Sequence, residues 1–215
     1  MRIHRLAPLA LLLVTPATAA AATRLPLTVR IYDMTSDHAD RQRALAVAAA
    51  ALTPAGVEVR WVLPAGPDAG TLEPQDLVVR LARRGAPDAA QRTMALGYAV
   101  VDASGRRGTV ATIFLERVDW LARISGADPE ELAGLAIAHE VGHLLLGTNS
   151  HAPRGLMRAR WTAEELRAQR PVDWQLLGRE RDQLRAGLAA RLGTRPATAT
   201  HVAALGGRTD ADSRQ

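Results

Sequence analysis

Residues 128–147 read DPEELAGLAIAHEVGHLLLG, and the fold is decided here. Asp128 sits where a helix N-cap belongs, Pro129 suits the first helical position, and Glu131 completes a capping-box pattern. Gly147 supplies a residue able to end the helix in a left-handed turn. From Leu132 to Leu146 the strongly polar residues are His139, Glu140 and His143. Every other face is apolar or glycine, so the helix is expected to be buried all round. A buried carboxylate costs several kcal/mol unless it is paired or lies near a metal. Three polar groups clustered in such a helix therefore need a reason beyond packing.

The elements upstream suit a sheet. Leu25 to Tyr32 alternates at Leu27, Val29 and Ile31, which predicts a strand. Ser36 or Asp37 caps an Ala-rich helix running to about Leu52, which Pro54 and Gly56 end. Val57–Val62, Asp76–Leu81, Leu96–Asp102 and Thr109–Leu115 read as four further strands, the last apolar on both faces, with a polar loop from Arg83 to Arg92 and a turn at 104–108. Asp119 to Ile124 suggests a helical turn. A strand, a helix, four strands and then a long helix make an α+β domain, a mixed sheet with packed helices. Thr162 to Glu165 forms another capping box, opening a further helix. Asp173 to Leu192 reads as a final amphipathic helix with Leu177, Leu184 and Leu188 on one face.

Composition narrows the class. The chain has 215 residues, enough for one domain of catalytic size, and 47% hydrophobic residues provide for a full core. Aromatics are only 3%, so Ala, Leu and Val build that core. The chain has no cysteine, which excludes disulfides, cysteine–zinc sites and thiol nucleophiles. The formal charge of +5 is modest and carried by arginines scattered among acids, so no nucleic-acid partner is expected.

Residues 1–22 read as an export signal. A basic start, Met1 to Arg5, precedes an apolar run from Leu6 to Val14, too short to span a bilayer, and a small-residue segment ends in Ala20-Ala21-Ala22. The expected organisation is a signal peptide over 1–22, a domain over 23–193 and a disordered tail over 194–215. The first strand follows the signal closely and leaves little room for a prodomain. No stable membrane anchor is expected after cleavage. The mature chain is expected to be monomeric, in the periplasm or outside the cell.

His139-Glu140-Val141-Gly142-His143 is H-E-x-x-H. Residues four apart lie on one helix face, so both imidazoles reach one zinc at roughly 2.0–2.1 Å. Glu140, about a quarter-turn away, is placed to act as general base toward a zinc-activated water. A third ligand is still required. Thr148-Asn149-Ser150 leads to His151, and Glu164 or Glu165 offers a carboxylate on a later helix.

The stretch HEVGHLLLGTNSH, followed by Gly155-Leu156-Met157, resembles the metzincin metalloproteases, the matrixin-like ones in particular. Their pattern is H-E-x-x-H-x-x-G-x-x-H followed by a Met-turn. The resemblance implies His139, His143 and His151 as zinc ligands, Glu140 as general base and Met157 as the methionine beneath the zinc. It also implies a mostly parallel, twisted five-stranded sheet whose fourth strand is an antiparallel edge. That edge, around Tyr98 to Val101, is where an extended peptide substrate would add as a strand. Trp161 would line a substrate pocket.

Two departures bear on the ligand set. The glycine comes one residue late and the third histidine two residues late. One extra helical residue turns the exit by about 100°, so the loop must redirect the chain. In the competing arrangement, similar to thermolysin-like peptidases, Glu165 or Glu164 is the third ligand. No tyrosine follows Met157, and Arg158 and Arg160 read as surface residues. His38 and His201 read as solvent-facing, and Asp102 and Asp119 have no evident partner.

The function these residues point to is an exported zinc endopeptidase acting on peptides or proteins. The alternative is a secreted zinc-binding module without proteolysis, against which the intact Glu140 stands.

Overall fold

The computed structural model describes residues 23–33, 38–64, 70–83, 95–102, 104–105, 107–168 and 170–193. The export signal, the tail, the cap candidates Ser36 and Asp37, most of the loop from Arg83 to Arg92, and His201 lie outside the described residues.

Five strands form the sheet: β1 (Leu25–Asp33), β2 (Val57–Val62), β3 (Leu77–Ala82), β4 (Gly97–Asp102) and β5 (Arg107–Phe114). Their order is β2-β1-β3-β5-β4. The first four in that order run parallel, and β4 pairs antiparallel with β5 at the edge, as expected. The alternation that identified the strands also sorts their faces. Leu27, Val29, Ile31, Leu77, Val79, Leu81, Ala111 and Ile113 are buried in the core. The alternate positions are polar and tied across strands: Arg60 reaches Thr28 at 3.2 Å, and Arg80 reaches Thr112 at 3.2 Å and the Tyr98 hydroxyl at 3.4 Å.

Helix α1 (His38–Leu52) links β1 to β2, and α2 (Leu115–Ser125) follows β5 directly. This second helix is longer than the single turn anticipated at 119–124. The central helix α3 (Pro129–Leu146) matches the expected span at both ends. It packs on α1, on β5 and β4, and on α5 (Gly178–Arg191). A short α4 (Ala163–Ala168) precedes α5. The final helix is shorter than anticipated: Pro171–Trp174 is a separate 3-10 turn and Leu177 is the cap of α5. The extended Gln175 breaks the run. Leu184 and Leu188 are fully buried, as their spacing predicts.

Two buried ion pairs clamp β1. Arg30 meets Asp76 at 2.9 Å and Arg41 of α1 meets Asp33 at 2.5 Å. Asp119 pairs with Arg83 at 2.5 Å, a partner the sequence did not disclose. Where α3 crosses α1 the helices approach so closely that a Cβ on Gly134 would stand 2.5 Å from the Ala44 carbonyl and 2.6 Å from Val47 Cβ. Gly134→Val should therefore push the helices apart and lower stability by about 1–3 kcal/mol. Urea unfolding measures this, and an unchanged midpoint would show that the crossing is not tight in solution.

Candidate metal centre

The site grows out of the last two turns of α3. Asp128 caps the helix as predicted, its side chain accepting from the Glu131 N–H at 2.8 Å. Gly147 ends it at φ 63°, and its N–H returns to the His143 carbonyl at 2.9 Å. Apolar neighbours enclose the polar trio: His139, Glu140 and His143 are 8%, 7% and 3% exposed.

Both helix histidines are held through Nδ1. His139 Nδ1 lies 2.8 Å from the Leu156 carbonyl and His143 Nδ1 lies 2.8 Å from the Thr148 carbonyl. A carbonyl only accepts, so each Nδ1 carries the proton and each neutral ring presents a bare Nε2. The two Nε2 atoms face each other at 3.0 Å. Two lone pairs at that separation repel unless a cation lies between them.

His151 completes the cluster. Its ring centroid lies 5.4 Å from His139 and 4.8 Å from His143, and the ligand atoms of all three fall within 4.8 Å of one another. His151 is exposed, so this side of the cluster is open. The two-residue delay is absorbed by the loop after Gly147. The Ser150 N–H donates to the Thr148 hydroxyl at 3.1 Å while the Thr148 carbonyl turns in to His143. That small turn brings His151 back over the helix end.

Burial sets the charge states. It is the first cause that lowers His139 to about 4, with the Leu156 carbonyl partly offsetting and the neighbouring histidines adding to the fall. Burial also lowers His143 and His151. All three rings are thus held in the neutral form a metal requires. Three neutral imidazole nitrogens converging on one point, with an open side, fit a divalent transition metal. Burial raises Glu140 to about 8. Its carboxylate has no hydrogen-bond or ion-pair partner among the described residues.

Met157 is fully buried and lies against the ligand helix. A Cβ on Gly142 would stand 2.6 Å from its sulfur, so the glycine between the two histidines makes room for the methionine. Gly97, at the start of the edge strand, does the same for Glu140: a Cβ there would stand 3.0 Å from Glu140 Cγ. Trp161 stands edge-on to His139 with centroids 5.7 Å apart, backed by Trp174 at 5.4 Å. It therefore walls the cluster.

Tyr98 does not join them. Strand alternation that turns Gly97 toward Glu140 turns Tyr98 to the other face, against Phe114 at 5.9 Å. The alternative carboxylates also stay apart. Glu165 Oε1 takes Arg158 at 2.6 Å, and Oε2 takes the Thr162 N–H and hydroxyl, both at 2.8 Å. Glu164 is exposed. Arg158, read as a surface residue, is instead 7% exposed, with its guanidinium 5.0 Å over the Trp174 ring. Glu165 and Trp174 draw it inward.

The Thr148 and Leu156 carbonyls escaped the sequence reading because a backbone acceptor leaves no residue signature. Gly142 left one: a glycine inside an apolar helix asks for a close neighbour.

No protein-family model matches this chain, and no curated protein matches it in sequence. Similar solved structures include archaemetzincin from Methanopyrus kandleri, at TM-score 0.49 and 15% identity, covering 79% of this chain and 98% of that one.

A divalent transition metal added to purified protein should bind at about one per chain and raise Tm. At a thousandfold excess over Kd the linkage amounts to about 4 kcal/mol. His143→Ala should abolish the shift and His151→Ala should weaken it. Metal-independent melting of the wild type would remove the site.

Proposed function

We propose that this chain is an exported zinc-dependent endopeptidase of metzincin type, matrixin-like in its ligand order. His139, His143 and His151 hold the ion, and Glu140 is the general base. The observation that carries the reading is one helix face bearing two inward-held neutral imidazoles and a carboxylate with no protein partner.

Bound zinc supplies Lewis-acid polarisation of a carbonyl and makes water acidic near neutral pH. The chain's own residues do the rest. Burial favours the neutral form of Glu140, and a divalent ion close by would offset that, so its carboxylate would accept a proton from the attacking water and return it to the leaving amine. The Thr148 and Leu156 carbonyls keep the imidazoles in one tautomer and one orientation. Gly97 places the edge strand against Glu140, so an extended peptide pairing with the free edge of β4 would pass beside the base. Trp161 walls the adjoining pocket. The export signal over 1–22 supports action in the periplasm or outside the cell.

Glu140→Gln should retain stoichiometric metal and lose about 100- to 10,000-fold in kcat on a peptide library. Equal activity in that variant would overturn the reading. Metal binding without cleavage by the wild type would instead support the non-proteolytic zinc module. Gly97→Ala should also keep the metal but lower kcat at least tenfold, because the added methyl meets the Thr112 carbonyl at 2.7 Å and Glu140 Cγ at 3.0 Å and so shifts the edge strand relative to the base. An unchanged kcat would show that the contact does not position the base.

A further inference from the structure

The last turn of α3, the C-terminal half of α5 and the start of β5 surround a cavity of ≈ 400 Å³. Leu146, Ala186 and Ala190 give it an apolar surface, and Arg107 and Arg191 stand at it with no acidic residue among its described lining. None of the three histidines lines it. The volume lies within the roughly 300–1,000 Å³ of small-molecule sites.

The two arginines share this space without neutralisation. Arg191 is half-buried and donates through Nη2 to the Gly108 carbonyl, with no ion-pair partner among the described residues. Burial lowers its pKa from the ordinary value, and the nearby charge of Arg107 lowers it further. Asp102 lies opposite Arg107 in the strand register but turns away. Its carboxylate accepts the Ser104 N–H at 2.9 Å and the Ser104 hydroxyl at 2.6 Å. Two helix C-termini also point here, each equivalent to roughly half a negative charge. Against two full guanidinium charges, about one positive charge remains uncompensated.

We propose that this cavity binds a small amphiphilic carboxylate, its head between Arg107 and Arg191 and its aliphatic body against Leu146, Ala186 and Ala190. One residual positive charge suits a carboxylate better than a phosphate dianion. The apolar wall requires a hydrocarbon body. A half-open cavity with only two cations does not suit a polyanion, which would need a strip of them. The site does not depend on the peptidase reading.

The test is calorimetric titration of the full chain with decanoate below its micellar range, at low ionic strength. Saturable one-to-one binding is expected. Arg107→Gln should weaken it at least tenfold, and so should Ala186→Phe, which fills the cavity from an exposed position on α5. Decanol and acetate, each lacking half of the ligand, should bind at least tenfold more weakly than decanoate. Arg191→Gln should act like Arg107→Gln; if it does not fold, the other two variants decide. Absence of saturable binding overturns the proposal. So does undiminished binding in Arg107→Gln and Ala186→Phe, or equal affinity for decanol. Binding to anionic-lipid vesicles without binding of monomeric decanoate also overturns it and marks a membrane contact instead.

Discussion

The structure depends on keeping three polar side chains inside an apolar helix. Desolvation would ordinarily exclude His139, Glu140 and His143 from such a place. The histidines are tolerated because each gives its single ring proton to a backbone carbonyl. The remaining Nε2 lone pairs then have nowhere to go but toward each other. Burial opposes protonation as the remedy, since it lowers His139 to about 4. A bound cation relieves the repulsion and leaves the rings neutral. The facing lone pairs and the capacity for metal are thus one property.

That property is built by the loop as much as by the helix. Both carbonyl acceptors come from the segment after Gly147. One belongs to Thr148, and the other, Leu156, lies next to the methionine that packs on Gly142. The loop is itself closed by the Ala152 N–H to the Met157 carbonyl at 2.9 Å and fixed to the following segment by Leu156 N–H to Gln175 at 3.0 Å. A chain without cysteine has no covalent staple to hold such a loop. Buried methionine and backbone hydrogen bonds take that part.

Much of this was legible in the sequence, and the limits have physical causes. Period-two alternation in the first two strands, and short apolar runs bounded by turn signals in the others, located all five within about two residues at each end. The capping residues Asp128 and Gly147 located the central helix at both ends, because caps are local chemistry. The H-E-x-x-H spacing identified the two helix histidines because helical geometry is fixed over four residues. Tertiary facts were not legible. Tyr98 was named from its place on the edge strand, but the side a strand residue faces depends on register with its neighbours. Arg158 was read as surface because its partner carboxylate and Trp174 are distant turns in the chain. The break before α5 was missed because Leu177, Leu184 and Leu188 share a spacing that a cap residue can mimic.

A residue that touches none of the histidines weighs, on energetic grounds, against a carboxylate as the third ligand. Arg158 buries its guanidinium beside Trp174 and meets one carboxylate, that of Glu165. If Glu165 turned to a metal, Arg158 would be left as a buried charge without its counterion, at a cost of about 3–5 kcal/mol. The bonds that the Thr162 N–H and hydroxyl give to the Glu165 carboxylate would be lost as well, half of the capping box of α4. His151 carries no such commitment: it is exposed, neutral, and already within 4.8 Å of the other ligand atoms. An ion at this site gains a nitrogen there without dismantling anything. A longer loop with a histidine at its end is therefore the less costly arrangement, even though it departs from the shorter spacing of the pattern.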